Sequence, residues 1–171
     1  MKRLFAIAFL AALAAPTAAQ HQGHHGQENR DIKALSPEEV KQYLAGAGMG
    51  YAKAAELNHF PGPMHVLELA APLALTAEQR TATERLMQAH KAEARALGAK
   101  LVAAEQAVEQ LFRSGKVEPK ELESAVAAAA RLQGEYRLSH LETHRRMRAL
   151  LTEEQVRRYD ELRGYRQQRK H

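Results

Sequence analysis

The sequence predicts an all-α protein, built as one long antiparallel helical hairpin with shorter helices flanking it. Three observations carry that expectation. Alanine occurs 33 times in 171 residues, whereas Val and Ile together occur nine times, a balance that favours helix over sheet. Two long stretches, 76–113 and 119–150, place apolar side chains at alternating spacings of four and three, the pattern of a helix seam. Four segments also open with residues that cap helices. The length fits one domain. With no cysteine there is no disulfide framework, thiolate metal site or cysteine nucleophile. No Gly-rich phosphate loop and no G-x-S-x-G motif occurs, and no Ser/His/Asp set is legible. The chain therefore reads as a non-enzyme.

The N-terminus reads as a secretory signal over residues 1–19. Lys2 and Arg3 precede an apolar run from Leu4 to Ala15, followed by Pro16, Thr17, Ala18 and Ala19. That order of basic, apolar and small residues is the signal-peptide pattern, with cleavage near Ala19. Twelve apolar residues are too few to cross about 30 Å of hydrocarbon, and no later run is longer. The expectation is an exported periplasmic protein without stable membrane insertion. Arg157, Arg158, Arg163, Arg166, Arg169 and Lys170 carry much of the net charge of +5. On an exported chain they read as a solvated helix face, not a nucleic-acid surface.

Residues 20–34 are polar and hold His21, His24 and His25 between glycines, the composition of a flexible tail able to bind a metal loosely. Cleavage one residue earlier would leave Ala19-Gln20-His21, a terminus that binds Cu²⁺ through backbone nitrogens. The all-helical domain is expected over 35–171. Ser36-Pro37-Glu38-Glu39 is a helix start, with Ser36 as N-cap, Glu39 closing a capping box, and Leu35 and Val40 as its staple. Gly46, Gly48 and Gly50 weaken that helix. Asn58-His59-Phe60-Pro61-Gly62-Pro63 is a turn by composition, and a short apolar helix is expected from Met64 to Ala71. Leu75-Thr76-Ala77-Glu78-Gln79 opens the first long helix, which Ser114-Gly115 stops. Glu118-Pro119 opens the second, to about Leu150. Leu151-Thr152-Glu153-Glu154-Gln155 caps a last helix.

The short turn at 114–118 forces the long helices antiparallel. Matching their seams pairs Leu111 with Leu122, Leu97 with Tyr136 and Leu86 with Met147, and sets Gly98 opposite Gly134. In that register His90 faces Thr143 and lies between His140 and His144, which share a helix face four residues apart. Three imidazoles form a usable donor set for Zn²⁺, Cu²⁺ or Ni²⁺. His65 on the short helix is a fourth candidate ligand. Glu93 offers oxygen one turn from His90, and Met147 offers a thioether one turn past His144. The same pattern also suits hydrogen-bonded core histidines.

Leu75-Thr76-x-x-Gln79 and Leu151-Thr152-x-x-Gln155 together resemble the paired LTxxQ motifs of the periplasmic Spy/CpxP superfamily, which includes ZraP proteins and CnrX-type heavy-metal sensors. The resemblance spans roughly residues 36–166. It implies a hairpin dimerised into a curved cradle, hence a homodimer. It also implies one of two roles. In the CnrX/ZraP type, helix-borne His, Glu and Met bind a divalent metal such as nickel, cobalt or zinc, and the protein acts as a sensor or buffer that can signal to a membrane-bound anti-sigma factor. In the Spy/CpxP type the protein is an ATP-independent chaperone for unfolded periplasmic proteins or a modulator of an envelope-stress sensor. His140-x-x-x-His144 falls near the His-x-x-x-Met pair of the metal branch, and His65 with Glu68 near its first-helix ligands. That branch's first-helix His-x-x-x-His pair is missing, as is a membrane anchor. The metal-binding stress-response role is the leading expectation and the chaperone role the alternative.

Overall fold

The computed structural model describes residues 24–165, so the signal segment, His21, and the basic C-terminal residues from Arg166 to His171 lie outside it. Six helices follow in order: α1 Pro37–Ala45, α2 Lys53–Glu56, α3 Pro63–Glu68, α4 Ala77–Arg113, α5 Pro119–Ala149 and α6 Glu153–Leu162. No strand occurs among the described residues. At about 1.5 Å per residue α4 is about 55 Å long. It pairs with α5 through the turn at 114–118, while α1, α2 and α3 pack across the hairpin. The short apolar helix is trimmed relative to expectation, ending at Glu68 instead of Ala71. None of the described helices is long and apolar enough to cross a membrane.

The three capping boxes form as the sequence dictates. The hydroxyls of Ser36, Thr76 and Thr152 accept from the backbone amides of Glu39, Gln79 and Gln155, whose side chains accept from the cap amides in return. The two glutamines do more than close their boxes. The Gln79 side-chain amide donates to Gln155 Oε1 at 2.8 Å, and Gln155 donates back to Gln79 Oε1 at 2.9 Å. Gln79 also donates to the Leu150 carbonyl at 2.9 Å and Gln155 to that of Leu73 at 3.3 Å. The two motifs thus form one cross-link that fastens the start of α4 to the start of α6. Thr76→Ala and Thr152→Ala are each expected to cost about 1 kcal/mol by uncapping amides. Gln79→Ala and Gln155→Ala are expected to be non-additive by about 1 kcal/mol in a double-mutant cycle read by urea unfolding. Additive losses would mean that the cross-link carries no energy.

Two apolar clusters fill the molecule. Val66, Leu73, Leu86, Met147, Leu151, Val156 and Tyr159 close the open end of the hairpin. Tyr43, Ala94, Leu101, Leu132 and Tyr136 fill its middle under α1. Gly98 does not face Gly134. A Cβ on Gly98 would lie 1.9 Å from the Tyr43 carbonyl oxygen, whereas one on Gly134 would meet nothing within 4 Å. The close approach that Gly98 permits is therefore between α4 and the end of α1. Residues 24–34, expected as a flexible tail, fold back on α4 as a strap. Ile32 is buried, Lys33 pairs with Glu109 at 2.6 Å, and Arg113 donates to the Asp31 carbonyl at 2.8 Å. One buried isoleucine and an ion pair suffice to dock a segment that composition alone marks as solvated.

Candidate metal centre

The histidine layer lies between the two apolar clusters. On α4, His90 falls between Leu86 of one cluster and Ala94 of the other. On α5, His140 falls between Tyr136 and Met147. Nε2 of His90 and Nδ1 of His140 are 3.0 Å apart, with the rings edge to face. His140 is 4 % exposed. The remaining ring nitrogens, His90 Nδ1 and His140 Nε2, are buried without any hydrogen-bond partner. Tyr51 stacks near-parallel to the His140 ring, and Tyr136 packs on it with centroids 4.8 Å apart. Tyr51 is held by hydroxyl contacts with Tyr43 at 2.8 Å and from Gln133 at 3.2 Å. Tyr136 donates to the Ala47 carbonyl.

The electrostatics follow from burial. Desolvation first, and the neighbouring His90 and His144 second, push His140 down to about 4. His90 is lowered for the same first reason, with His144 adding to it. Both rings are therefore neutral at pH 7 and keep lone pairs on nitrogen. Two neutral imidazole nitrogens 3.0 Å apart share a proton, and they need to part by only about 0.3–0.4 Å to reach the spacing of two tetrahedral ligands each about 2.0–2.1 Å from one ion.

The heavy-metal resistance family matches residues 42–158 of this sequence. The chain belongs to that family. Through it the chain joins the LTxxQ superfamily of Spy, CpxP, ZraP and CnrX, as its two cross-linked capping motifs imply. Searches of curated proteins and of solved structures gave no significant match.

Within this family member, the structure separates the candidate ligands. His90 meets His140, three residues earlier on α5 than the Thr143 that the seams predict. His144 turns instead to the segment between α2 and α3. Its Nδ1 lies 2.8 Å from the Phe60 carbonyl and 3.5 Å from Glu56 Oε2. Its ring leaves no room for a side chain on Gly62, where a Cβ would sit 2.9 Å from Cε1. His65 is occupied locally, with Nδ1 2.9 Å from Glu68 Oε2. Met147 is fully buried among the apolar side chains of the open end, so its thioether serves packing. Glu93 is exposed and lines a surface cleft with Glu135, Glu142 and Arg146. His24 and His25 are exposed on the strap. Among the described residues, no three His, Asp or Glu side chains gather closely enough to hold a metal ion as they stand.

Sequence reasoning missed the hub at Glu56. Its carboxylate accepts from Tyr159, from Tyr165 at 3.1 Å and from the Gly62 amide at 3.1 Å. The tyrosines hold the α2–α3 segment against α6, and the His144 contact holds it against α5. Its tyrosine partners lie about a hundred residues away in sequence, so no local pattern announces it.

Proposed function

We propose that this chain is an exported metal-binding protein of the heavy-metal stress response, a sensor or buffer, and that His90 and His140 begin its metal centre. The supporting observation is the buried imidazole pair itself. A buried polar pair with two unpartnered nitrogens costs stability that an apolar pair would not, so its presence favours a role outside folding. The nitrogen donors and the lack of thiolate suit Zn²⁺, Ni²⁺, Co²⁺ or Cu²⁺. The ion would replace the proton shared by the two rings. His144, one turn on, joins only by leaving Phe60; otherwise water fills the remaining positions. Zn²⁺ is expected to bind at micromolar concentration or below and to raise the melting temperature, because metal favours the state in which ligands are assembled. Calorimetry and a melting curve in chelator and in zinc check this. No heat and no shift would exclude the reading.

The alternative, an ATP-independent chaperone, draws support from a different observation. Phe112, Val126 and Leu138 are exposed along the hairpin, a surface able to hold unfolded chains or a second copy of this one. Metal-free protein in several-fold excess over a denatured client is then expected to suppress light scattering, less so as salt rises. No protection would remove that reading.

A further inference from the structure

A second polar group lies buried away from the hairpin. Asp160 of α6 is 2 % exposed. Its Oδ2 sits 2.7 Å from Nδ1 of His59, and its Oδ1 is buried with no partner at all. Both residues line a cleft of about 310 Å³, with Asn58, Arg148, Glu153 and Arg157 around it. The two arginines are already committed, Arg148 to Glu153 and Arg157 to Glu154, so the rim is close to neutral while the floor carries an anion. His59 is held there in a left-handed backbone conformation, φ 70°, which a non-glycine residue adopts at a cost and keeps only where its surroundings impose it.

We propose that this cleft is a second site for a divalent transition-metal cation, held between the Asp160 carboxylate and His59 Nδ1. The Asp160 carboxylate is satisfied at Oδ2 by His59 but buried and unpartnered at Oδ1, a cost that a cation on the cleft floor would offset. The nitrogen and oxygen, now 2.7 Å apart, need to part by roughly 0.6–0.9 Å to become two tetrahedral ligands about 2.0–2.2 Å from one ion, a movement the exposed His59 side chain allows. On binding, the proton on Nδ1 passes to solvent and the nitrogen lone pair takes its place on the metal. Asn58 donates its side-chain amide to the Ala54 carbonyl at 2.8 Å, leaving its amide oxygen available as a further ligand. Mixed nitrogen and oxygen donors without sulfur select Zn²⁺ or Ni²⁺ over soft Cu⁺. The site shares no ligand with the His90–His140 pair and stands independently of it.

The test is a zinc titration of the full chain, read by calorimetry and by ¹H–¹⁵N spectra of the imidazoles. His59→Ala is expected to remove one equivalent of zinc and leave the remaining binding intact, with a lower melting temperature because Asp160 stays buried without its partner. Asp160→Asn is expected to do the same. If that variant fails to melt cooperatively, His59→Ala decides. His65→Ala, which removes another carboxylate-paired imidazole, is expected to leave the cleft's equivalent in place. In the wild-type chain zinc is expected to shift the His59 Nδ1 resonance. An unchanged stoichiometry in His59→Ala, or a His59 resonance that zinc does not move, overturns the proposal. Loss of the same single equivalent in His90→Ala overturns its independence.

Discussion

His140→Ala is expected to weaken zinc binding at the hairpin by at least tenfold, and His90→Ala by about as much, because each removes one of two imidazoles already 3.0 Å apart. Truncating His140 leaves a small cavity but also removes a buried nitrogen that has no partner. These effects oppose each other, so the metal-free variant is expected to fold and the loss of affinity to be readable. His144→Ala is expected to cost less affinity and instead to loosen residues 57–62, which would show as faster amide exchange there. Equal losses in all three variants would mean that His144 abandons Phe60 whenever metal is present. The pH dependence has a defined sign. The unfolded chain protonates these rings near pH 6.5, whereas folded His140 does so only near 4. Between those values the unfolded state binds more protons, so metal-free stability falls as pH drops through that window, by on the order of 3 kcal/mol for His140. Zinc affinity at the pair is accordingly expected to persist at pH 6 and to fail toward pH 4. Calorimetry at pH 7, 6 and 5 checks it, and a loss centred at pH 6.5 would place binding on exposed histidines instead.

Gly98→Ala is expected to destabilise the protein by about 3 kcal/mol, the upper part of the range for overpacking a core. The new Cβ would lie 1.9 Å from the Tyr43 carbonyl oxygen and 2.6 Å from its carbon. Both are backbone atoms at the end of α1, so no rotamer change relieves the clash. The helix must move off the hairpin, uncovering Tyr43 and Tyr136 of the central cluster. Gly134→Ala is the internal control. It sits in the middle of α5 with open space around its would-be Cβ, and is expected to stabilise by roughly 0.5–1 kcal/mol through helix propensity alone. Urea unfolding of the two variants checks the pair of signs. Equal and small effects would mean that α1 does not rest on α4 at Gly98.

Part of the histidine cluster was legible and part was not. His140 and His144 share a face because any helix puts residues four apart together, and His90 lies on the facing seam. That brought His90 within a turn of its true partner. It could not decide that His144 prefers the Phe60 carbonyl and Glu56, since those acceptors come from a segment more than 80 residues earlier in the chain. Nor could it show that Glu93 lies on an open surface, because helix periodicity gives a direction but not what another element has placed there; Met147, paired with Leu86 on the seams, shares its apolar cluster. No local pattern singles out Asp160, and only the return of His59 against it shows that it is buried.

The sequence by itself determined the main helices, their capping boxes and their order, though not the short α2. Capping boxes, alanine content and seam spacing are local, and local free energies of about 1 kcal/mol at each start add up along one stretch of chain. It also determined the family, since the two LTxxQ motifs survive as a readable pair. The tertiary structure alone decided which polar groups meet: Gln79 with Gln155, His90 with His140, His144 with Phe60, His59 with Asp160. It likewise decided that Gly98 serves α1 instead of the hairpin, and that the strap docks. These contacts depend on shifts of three or four residues between packed helices and on where short connecting segments fold back. Such choices are made by the sum of burial over the whole molecule, which no window of the sequence contains.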